Sequence, residues 1–321
     1  MARGDLIVKI VESGSSGDAE SFRSAVLELA AEEKRLQHHI LADRLLRGIR
    51  RGRNGLSLRR APTRSGPAVL IRKAPARTLD SLVLPSDVRA AIDELVEEQQ
   101  RRSVLRSHGL EPRHRLLLVG PPGTGKTTLA EGIADALSVP LLLPRYEAII
   151  GSLLGETSER LRTVFEEAAE EPCVLFFDEF DLLGKERSDD QETGEIKRVV
   201  STMLLQVDRV PSHVVVIAAT NHAELLDRAA WRRFQLRLPL PMPSRAARVL
   251  YFERVLAESP TPWDYSPRTL ANRLADLSFA ELEDFALDVQ RRLVLEEGCS
   301  NSREVVQRRL EQWRLRQQAS Q

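Results

Sequence analysis

The chain has 321 residues, of which 42% are hydrophobic and 29% charged, and its formal net charge is zero. This composition is typical of a globular protein that buries a sizeable core, and it gives the whole molecule no bias towards nucleic acid or acidic membranes. No stretch has the apolar length of a membrane helix, and the start of the chain lacks the features of a signal peptide. Cys173 and Cys299 have no paired spacing, so neither a disulfide nor a metal site is predicted. These features favour a cytoplasmic protein.

The first part of the chain predicts a small helical region followed by a linker. Apolar residues recur near helical spacing within residues 18–49, so residues 1–49 are interpreted as a helical N-terminal region that recognises a partner or substrate. Residues 50–78 are interpreted as a basic linker, because between Arg44 and Arg77 there are eleven Arg or Lys residues and no Asp or Glu. Contact with nucleic acid is the alternative, although no aromatic residues interleave with these charges to stack on single strands.

Residues 79–242 predict an α/β layered domain, because short apolar runs alternate with amphipathic helices such as 126–137 and 158–169. Four runs are almost entirely apolar, as strands buried on both faces of a parallel sheet require, and the fifth alternates like a half-exposed edge strand. Residues 243–321 predict helices only. The predicted strands are 115–119, 140–143, 173–177, 213–218 and 234–238, and the predicted C-terminal helices are 246–256, 266–274, 280–297 and 302–317.

A glycine-rich loop lies between the first predicted strand and the helix after it, which is the context that a phosphate-binding loop needs. Glycines in this loop let the backbone curl so that its N–H groups point at phosphate oxygens, and the helix N-terminus adds partial positive charge. Lys126 would reach the β and γ phosphates, and the Thr127 hydroxyl would bind Mg²⁺. The predicted phosphate site consists of Gly120, Pro121, Pro122, Gly123, Thr124, Gly125, Lys126, Thr127 and Thr128.

Polar residues follow the third and fourth predicted strands, at the sheet edge where open α/β sheets bind their ligands. Asp178 can hold Mg²⁺ through water, and Glu179 beside it can act as a general base for an attacking water. Asn221 can orient water near the γ-phosphate without adding negative charge. The second carboxylate favours hydrolysis over switching alone, and the absence of an Asn-Lys-x-Asp sequence argues against a GTPase.

With these motifs in order, the chain resembles the AAA family of ATPases, within the wider AAA+ group, from about residue 79 to 295. The matching segments are 120–127 (Walker A), 175–179 (Walker B), 220–221 (sensor 1) and 226–234 (arginine-finger segment). The resemblance implies a P-loop α/β domain with a parallel five-stranded sheet of order 5-1-4-3-2, an all-α lid over residues 243–321, ATP and Mg²⁺ as cofactors, and a ring, usually a hexamer. Arg232 and Arg233 would act as arginine fingers in the neighbouring subunit's site.

Two departures from the family pattern bear on function. Family members that thread polypeptides usually carry an aromatic residue in the pore loop, where this chain has Leu153 and Leu154; these leucines either grip a substrate or pack. In the lid, Phe279 stands where glycine is usual, and that glycine normally allows close approach to the nucleotide.

These observations predict a ring-forming, chaperone-like ATP hydrolase that remodels or unfolds a protein. The short front end and the single AAA module look similar to small bacterial AAA proteins, some of which accompany a separately encoded subtilisin-like protease. Two alternatives stay open. The first is a DNA-associated ATPase of the loader or transposition type that uses the basic linker. The second is a non-threading regulator that switches on a partner enzyme.

Overall fold

The computed structural model describes residues 69–149, 154–180, 193–226, 228–296 and 301–319, together with four helical positions near the N-terminus. The chain divides into two compact units, Met1–Gly66 and Pro67–Gln321. In the first unit, the described positions Ser24, Val26, Glu28 and Leu29 are helical, and Val26 and Leu29 are buried one turn apart. This agrees with the predicted helical character of the N-terminal region, most of which lies outside the described residues.

The second unit begins as a parallel-dominated sheet with helices on both faces. Its strands are β1 (Leu70–Lys73), β2 (Arg115–Val119), β3 (Leu141–Pro144), β4 (Cys173–Phe177), β5 (Val214–Thr220) and β6 (Leu236–Pro239). The helices of this part are α1 (Ser86–Gln100), α2 (Arg102–Ser107), α3 (Lys126–Leu137), α4 (Tyr146–Ile149), α5 (Leu154–Ala169), α6 (Thr193–Arg209) and α7 (Arg228–Arg233). Short 3₁₀ turns lie at Leu79–Ser81 and Ala223–Leu225.

The strand order is β1-β3-β4-β5-β2-β6. The five strands from β2 to β6 are parallel and follow the predicted order 5-1-4-3-2 when they are numbered along the chain. The prediction of five strands is corrected by β1, which pairs antiparallel with β3 at the edge of the sheet. Sequence analysis placed its residues in the linker because Arg72 and Lys73 carry charges and only one face of an edge strand needs to be apolar.

The sheet is buried on both faces, which explains why β2, β4 and β5 are nearly continuous apolar runs. One set of alternating side chains, such as Leu117 and Phe177, packs with α5, α6 and α7. The other set, such as Leu118 and Phe176, packs with α1 and α3. A three-layer α/β arrangement results, as predicted.

The C-terminal part is helical, as predicted, and has a core of its own. Its helices are α8 (Arg245–Glu258), α9 (Pro267–Arg273), α10 (Phe279–Leu295) and α11 (Ser302–Ala319). Phe252, Trp263 and Phe285 are fully buried among these helices and meet edge to face. We call this helical part the lid. None of the described helices is sufficiently long and apolar to span a membrane.

Candidate nucleotide site

The loop between β2 and α3 has the backbone that its glycines predict. Gly123 and Gly125 have φ angles of 74° and 92°, in the left-handed region that side chains disfavour. Gly120 is required for another reason, since a Cβ there would lie 2.0 Å from the carbonyl oxygen of Leu240 in the chain leaving β6. The loop therefore needs glycine at two positions for its turns and at a third for its packing against the sheet.

Lys126, the first residue of α3, is buried with its ammonium group held over the loop. Its Nζ donates to the carbonyl oxygens of Gly120 at 2.7 Å and Pro121 at 2.8 Å, and to Oδ1 of Asn221 at 2.7 Å. Strand pairing explains the last contact, because Val119 of β2 lies opposite Thr220 of β5. The structure thus brings the predicted phosphate lysine and the predicted sensor amide together.

The end of β4 places Asp178 against the same loop. Oδ2 of Asp178 accepts a hydrogen bond from the Thr127 hydroxyl at 3.0 Å, and Oδ1 accepts one from the backbone N–H of Glu179 at 3.0 Å. Glu179 itself is exposed and has a φ of 47°, in the left-handed region that non-glycine residues seldom occupy. A sharp turn therefore separates the two carboxylates and presents that of Glu179 to the cavity beside the loop.

These groups line a cavity of about 750 Å³ between the sheet and the lid. Its residues fit a nucleotide with Mg²⁺: the left-handed glycines curl the loop around a phosphate site, and Lys126 supplies the cation. Mg²⁺ in such sites takes one or two carboxylates and completes its shell with phosphates and water, which the Thr127 hydroxyl and Asp178 suit. Among the residues that the structure describes, no cluster of three or more His, Cys, Asp or Glu offers an alternative metal site.

The lid forms the opposite wall and touches the loop directly. The backbone N–H of Ala280 donates to the carbonyl oxygen of Gly123 at 3.0 Å. A Cβ on Gly123 would come within 2.5 Å of the Ser278 hydroxyl oxygen. Ser278 caps α10 in a capping box with Glu281, which fixes this approach. The close approach of lid and loop therefore occurs with Phe279 in place of glycine, because Gly123 leaves the space.

The lid wall also contains two aromatic side chains, Phe279 and Tyr251. Phe279 is half-buried, and its ring lies 6.1 Å from that of Tyr251, centroid to centroid. Burial raises the pKa of the Tyr251 phenol, and the Glu283 carboxylate acts in the same direction. Glu283 also pairs with Arg77, so the segment before α1 is joined to the lid at the cavity rim. None of these contacts was predicted, since they join parts of the chain far apart in sequence.

The two arginines of α7 have different surroundings. Arg233 donates from Nε to Oδ2 of Asp208 at 3.0 Å, and Arg115 donates to Oδ1 of the same carboxylate at 2.9 Å. Arg232 is exposed and makes no ion pair with any residue that the structure describes. Neither arginine lines the cavity of its own chain.

The pore-loop prediction lies at the edge of the described residues. Leu153 is outside them, and Leu154 is described only as the first residue of α5. Cys173 is buried in β4, and burial raises the pKa of its thiol to about 12, so it is a core side chain, as predicted.

The comparisons with known proteins agree with this geometry. The profile of the "ATPase family associated with various cellular activities (AAA)" matches residues 116–242. The "Uncharacterized AAA family ATPase y4kL" of Sinorhizobium fredii is 34% identical over 306 residues, which are 92% of this chain and 91% of that protein. The chain belongs to the AAA family of ATPases. It is an ATP-binding protein and an ATP hydrolase, which confirms the predicted class.

Two further relatives match a little over half of this chain. The "Cell division cycle protein 48 homolog" of Archaeoglobus fulgidus is 34% identical over 185 residues, 56% of this chain and 25% of that protein. The "Putative 26S proteasome regulatory subunit homolog" of Methanothermobacter thermautotrophicus is 33% identical over 179 residues, 55% of this chain and 48% of that protein. This chain therefore spans less than half the length of either relative.

Proposed function

We propose that this chain is an Mg²⁺-dependent ATPase that assembles into a homo-oligomeric ring, with a hexamer as the expected form, and uses hydrolysis to remodel or unfold a protein. One observation carries the proposal. The chain segments that follow three neighbouring strands bring Lys126, Asp178 with Glu179, and Asn221 to one cavity. Arg232, which makes no ion pair with a described residue, is not among the residues that line this cavity.

Each polar group of the cavity has a role in this proposal. Lys126 and the loop N–H groups bind the phosphates, and Thr127 with Asp178 holds Mg²⁺. Glu179 takes a proton from the attacking water. Its carboxylate is suited to this role because it is exposed and lines the cavity beside Asp178. Asn221, hydrogen-bonded to Lys126, orients that water from the far side of the loop.

The arginines of α7 support assembly in a ring. Arg232 is the better candidate for an arginine finger, because a charge that must reach a neighbour's γ-phosphate has to be free of strong partners in its own chain. Arg233 shares Asp208 with Arg115 and so joins α7 to α6 and β2. In this proposal Arg233 holds the helix, and Arg232 acts in trans.

A protein substrate is supported by the kinds of relative that the ATPase part matches, one of which is described as a proteasome regulatory subunit homolog. A separate subtilisin-like protease is our proposed type of partner. The N-terminal region would select the substrate, and Leu153 and Leu154 would contact it in the pore.

Two other functions compete with this one. The basic block from Arg44 to Arg77 favours a DNA-associated ATPase, and its binding would weaken steeply with salt. A non-threading regulator would build an ATP-dependent assembly that activates a partner enzyme. Leu153→Ala distinguishes the regulator from a threading ATPase. A regulator with this substitution would still activate its partner enzyme, whereas a threading ATPase would lose its activity on folded substrates.

The deciding experiment is a pull-down with Glu179→Gln, which keeps ATP bound but removes the base and should lower turnover by roughly 10²- to 10⁴-fold. The bait is incubated in native lysate with ATP and Mg²⁺, with and without nuclease, and bound proteins are identified by mass spectrometry. Glu253→Gln, an exposed lid carboxylate outside the cavity, is the matched control.

Proteins that bind only with ATP and survive nuclease support protein remodelling or partner activation, and a protease among them identifies the pathway. Partners that disappear with nuclease would overturn the proposal and assign the basic block to nucleic acid. Unchanged turnover in Glu179→Gln would refute the assigned base.

A further inference from the structure

A hydrogen bond from outside the predicted motifs reaches the turn that carries the two carboxylates. Tyr146 is the first residue of α4, close after the end of β3. Its hydroxyl donates to the backbone carbonyl oxygen of Asp178 at 2.6 Å. β3 and β4 are parallel neighbours with Leu142 opposite Leu175, so the chains that leave these strands run side by side. Sheet topology therefore brings Tyr146 beside the turn at residues 178–179.

The turn that receives this hydrogen bond has an unfavourable backbone. Glu179 has a positive φ, so the segment adopts this conformation only if its surroundings hold it. Three hydrogen bonds to Asp178 do so: Oδ1 accepts from the N–H of Glu179, Oδ2 accepts from the Thr127 hydroxyl, and the carbonyl oxygen accepts from Tyr146. The first bond is local, and the second joins the turn to the phosphate loop. Among these three bonds, the third joins it to the chain after β3.

The ring of Tyr146 is itself held in place. It is half-buried and packs against the core cluster under the sheet that includes Phe177 and Phe180, the residues that flank the two carboxylates. A ring fixed on this core directs its hydroxyl at one backbone atom with little freedom. Tyr146 thus has the features of a support for an adjacent catalytic group, namely a packed body and a single directed donor.

We propose that Tyr146 is a positioning residue for ATP hydrolysis, which holds the turn at residues 178–179 so that the Glu179 carboxylate faces the attacking water. The proposal rests on the proposed role of Glu179 as the base. Tyr146 lies away from the nucleotide, since it is not among the residues that line the cavity. Its hydroxyl therefore affects the chemical step and leaves nucleotide binding unchanged.

The test is Tyr146→Phe, which removes the hydroxyl and keeps the ring. We expect kcat for ATP to fall about 3- to 10-fold, the range that the loss of one hydrogen bond produces. The KM for ATP, and the affinity for a fluorescent ATP analogue, should stay within about twofold. Tyr265→Phe is the matched control, because that tyrosine lies in the lid between Arg273 and Arg303, away from the cavity, and should keep wild-type kinetics.

Two further variants separate a positioning role from a general effect on the fold. Replacing Tyr146 with 4-aminophenylalanine puts an N–H donor at the same place and should restore most of kcat. In single-turnover assays, adding Tyr146→Phe to Glu179→Gln should lower the residual hydrolysis no further, because the carboxylate that the tyrosine positions is already gone.

The outcomes distinguish this inference from the proposed function. If Glu179→Gln abolishes turnover while Tyr146→Phe leaves kcat unchanged, only the role of Tyr146 is overturned. A loss that 4-aminophenylalanine does not restore, or an equal loss in the Glu179→Gln background, also overturns it. If Glu179→Gln itself turns over ATP like the wild type, the base assignment is wrong and the positioning role fails with it.

Discussion

The sheet wall and the lid wall of the nucleotide cavity are built from different contacts. On the sheet side, charged and polar groups such as Lys126 and Asp178 are held by hydrogen bonds of 2.7–3.0 Å that start from strand ends. On the lid side, Phe279 and Tyr251 present aromatic surface, and the polar link to the loop runs through the backbone of Ala280. In the proposed function, the sheet side carries the phosphate chemistry, and the aromatic surface of the lid contacts the nucleotide. Substitutions on the two sides should separate catalysis from binding.

The largest effect is expected on the sheet side, from Arg232→Ala. An arginine finger contributes roughly 10³- to 10⁵-fold to turnover, so we expect this variant to bind ATP normally and to be almost inactive. Arg232→Ala and Glu179→Gln subunits should partly restore each other's activity when mixed. A mixed interface has both groups intact where the Arg232→Ala subunit supplies Glu179 and the Glu179→Gln subunit supplies Arg232. The restored activity is measured as steady-state ATP hydrolysis over a range of mixing ratios of the two variants.

Arg233→Ala is the matched control for that experiment. Because Arg233 pairs with Asp208 in its own chain, its removal should lower thermal stability, and mixing with Glu179→Gln should not restore turnover. The assignment is reversed if Arg233→Ala is the variant that Glu179→Gln complements. Failure of both variants to complement would argue against a shared site.

A smaller effect is expected on the lid side, from Phe279→Ala. Removal of a half-buried aromatic ring should raise the KM for ATP by about 3- to 10-fold while kcat changes less than about twofold, because the ring lines the cavity and is expected to contact the nucleotide away from the reacting groups. Phe279→Leu, which keeps apolar surface, should have an intermediate KM. Steady-state kinetics give KM and kcat, and fluorescence titration with an ATP analogue gives the nucleotide affinity. A drop in kcat at unchanged KM would show that the lid wall takes part in chemistry.

The smallest effect is expected away from both walls, at His114 before β2. Burial lowers the pKa of this imidazole, and Arg115 acts in the same direction. The unfolded chain therefore binds more protons as the pH drops below about 6.5, and stability decreases as the pH falls through the lowered folded pKa. His114→Gln should reduce the loss of unfolding free energy between pH 7.5 and 5.0, measured by urea titration. His108→Gln, a substitution at an exposed position, should lose as much unfolding free energy over this pH range as the wild type. Equal losses in the wild type and both variants would contradict the prediction.

Much of the sheet could be predicted because its strands carry strong local signals. The bounds of β2 and β4, and those of α3, coincide with the prediction, since buried strands are continuous apolar runs and the glycine loop marks where the helix begins. β1 was missed because a four-residue edge strand with two charges has no such pattern. Helix α5 begins four residues before its predicted start, because nothing in its sequence marks that end with a capping residue.

The polar side chains of the site could also be predicted, because each follows a predicted parallel strand, and the carboxyl ends of parallel strands meet at one edge of the sheet. Tyr146 was missed, although its position directly after a strand, at the edge that carries the other polar groups, was a usable signal. The separation of Arg232 from Arg233 could not be predicted, since it depends on Asp208, which lies 25 residues earlier in the chain.

The sequence by itself determined the α/β class, the phosphate loop and the resemblance to the AAA ATPases, because these depend on local periodicity and on motifs whose chemistry needs particular residues. The parallel strand order was implied by that resemblance. Tertiary structure decided which arginine pairs with Asp208, how the lid reaches Gly123 with a phenylalanine at position 279, and that a tyrosine hydrogen-bonds to the carboxylate turn. Each of these is a contact between segments far apart in the chain. Such contacts depend on side-chain packing and on which strands are neighbours in the sheet, and neither leaves a local pattern in the sequence.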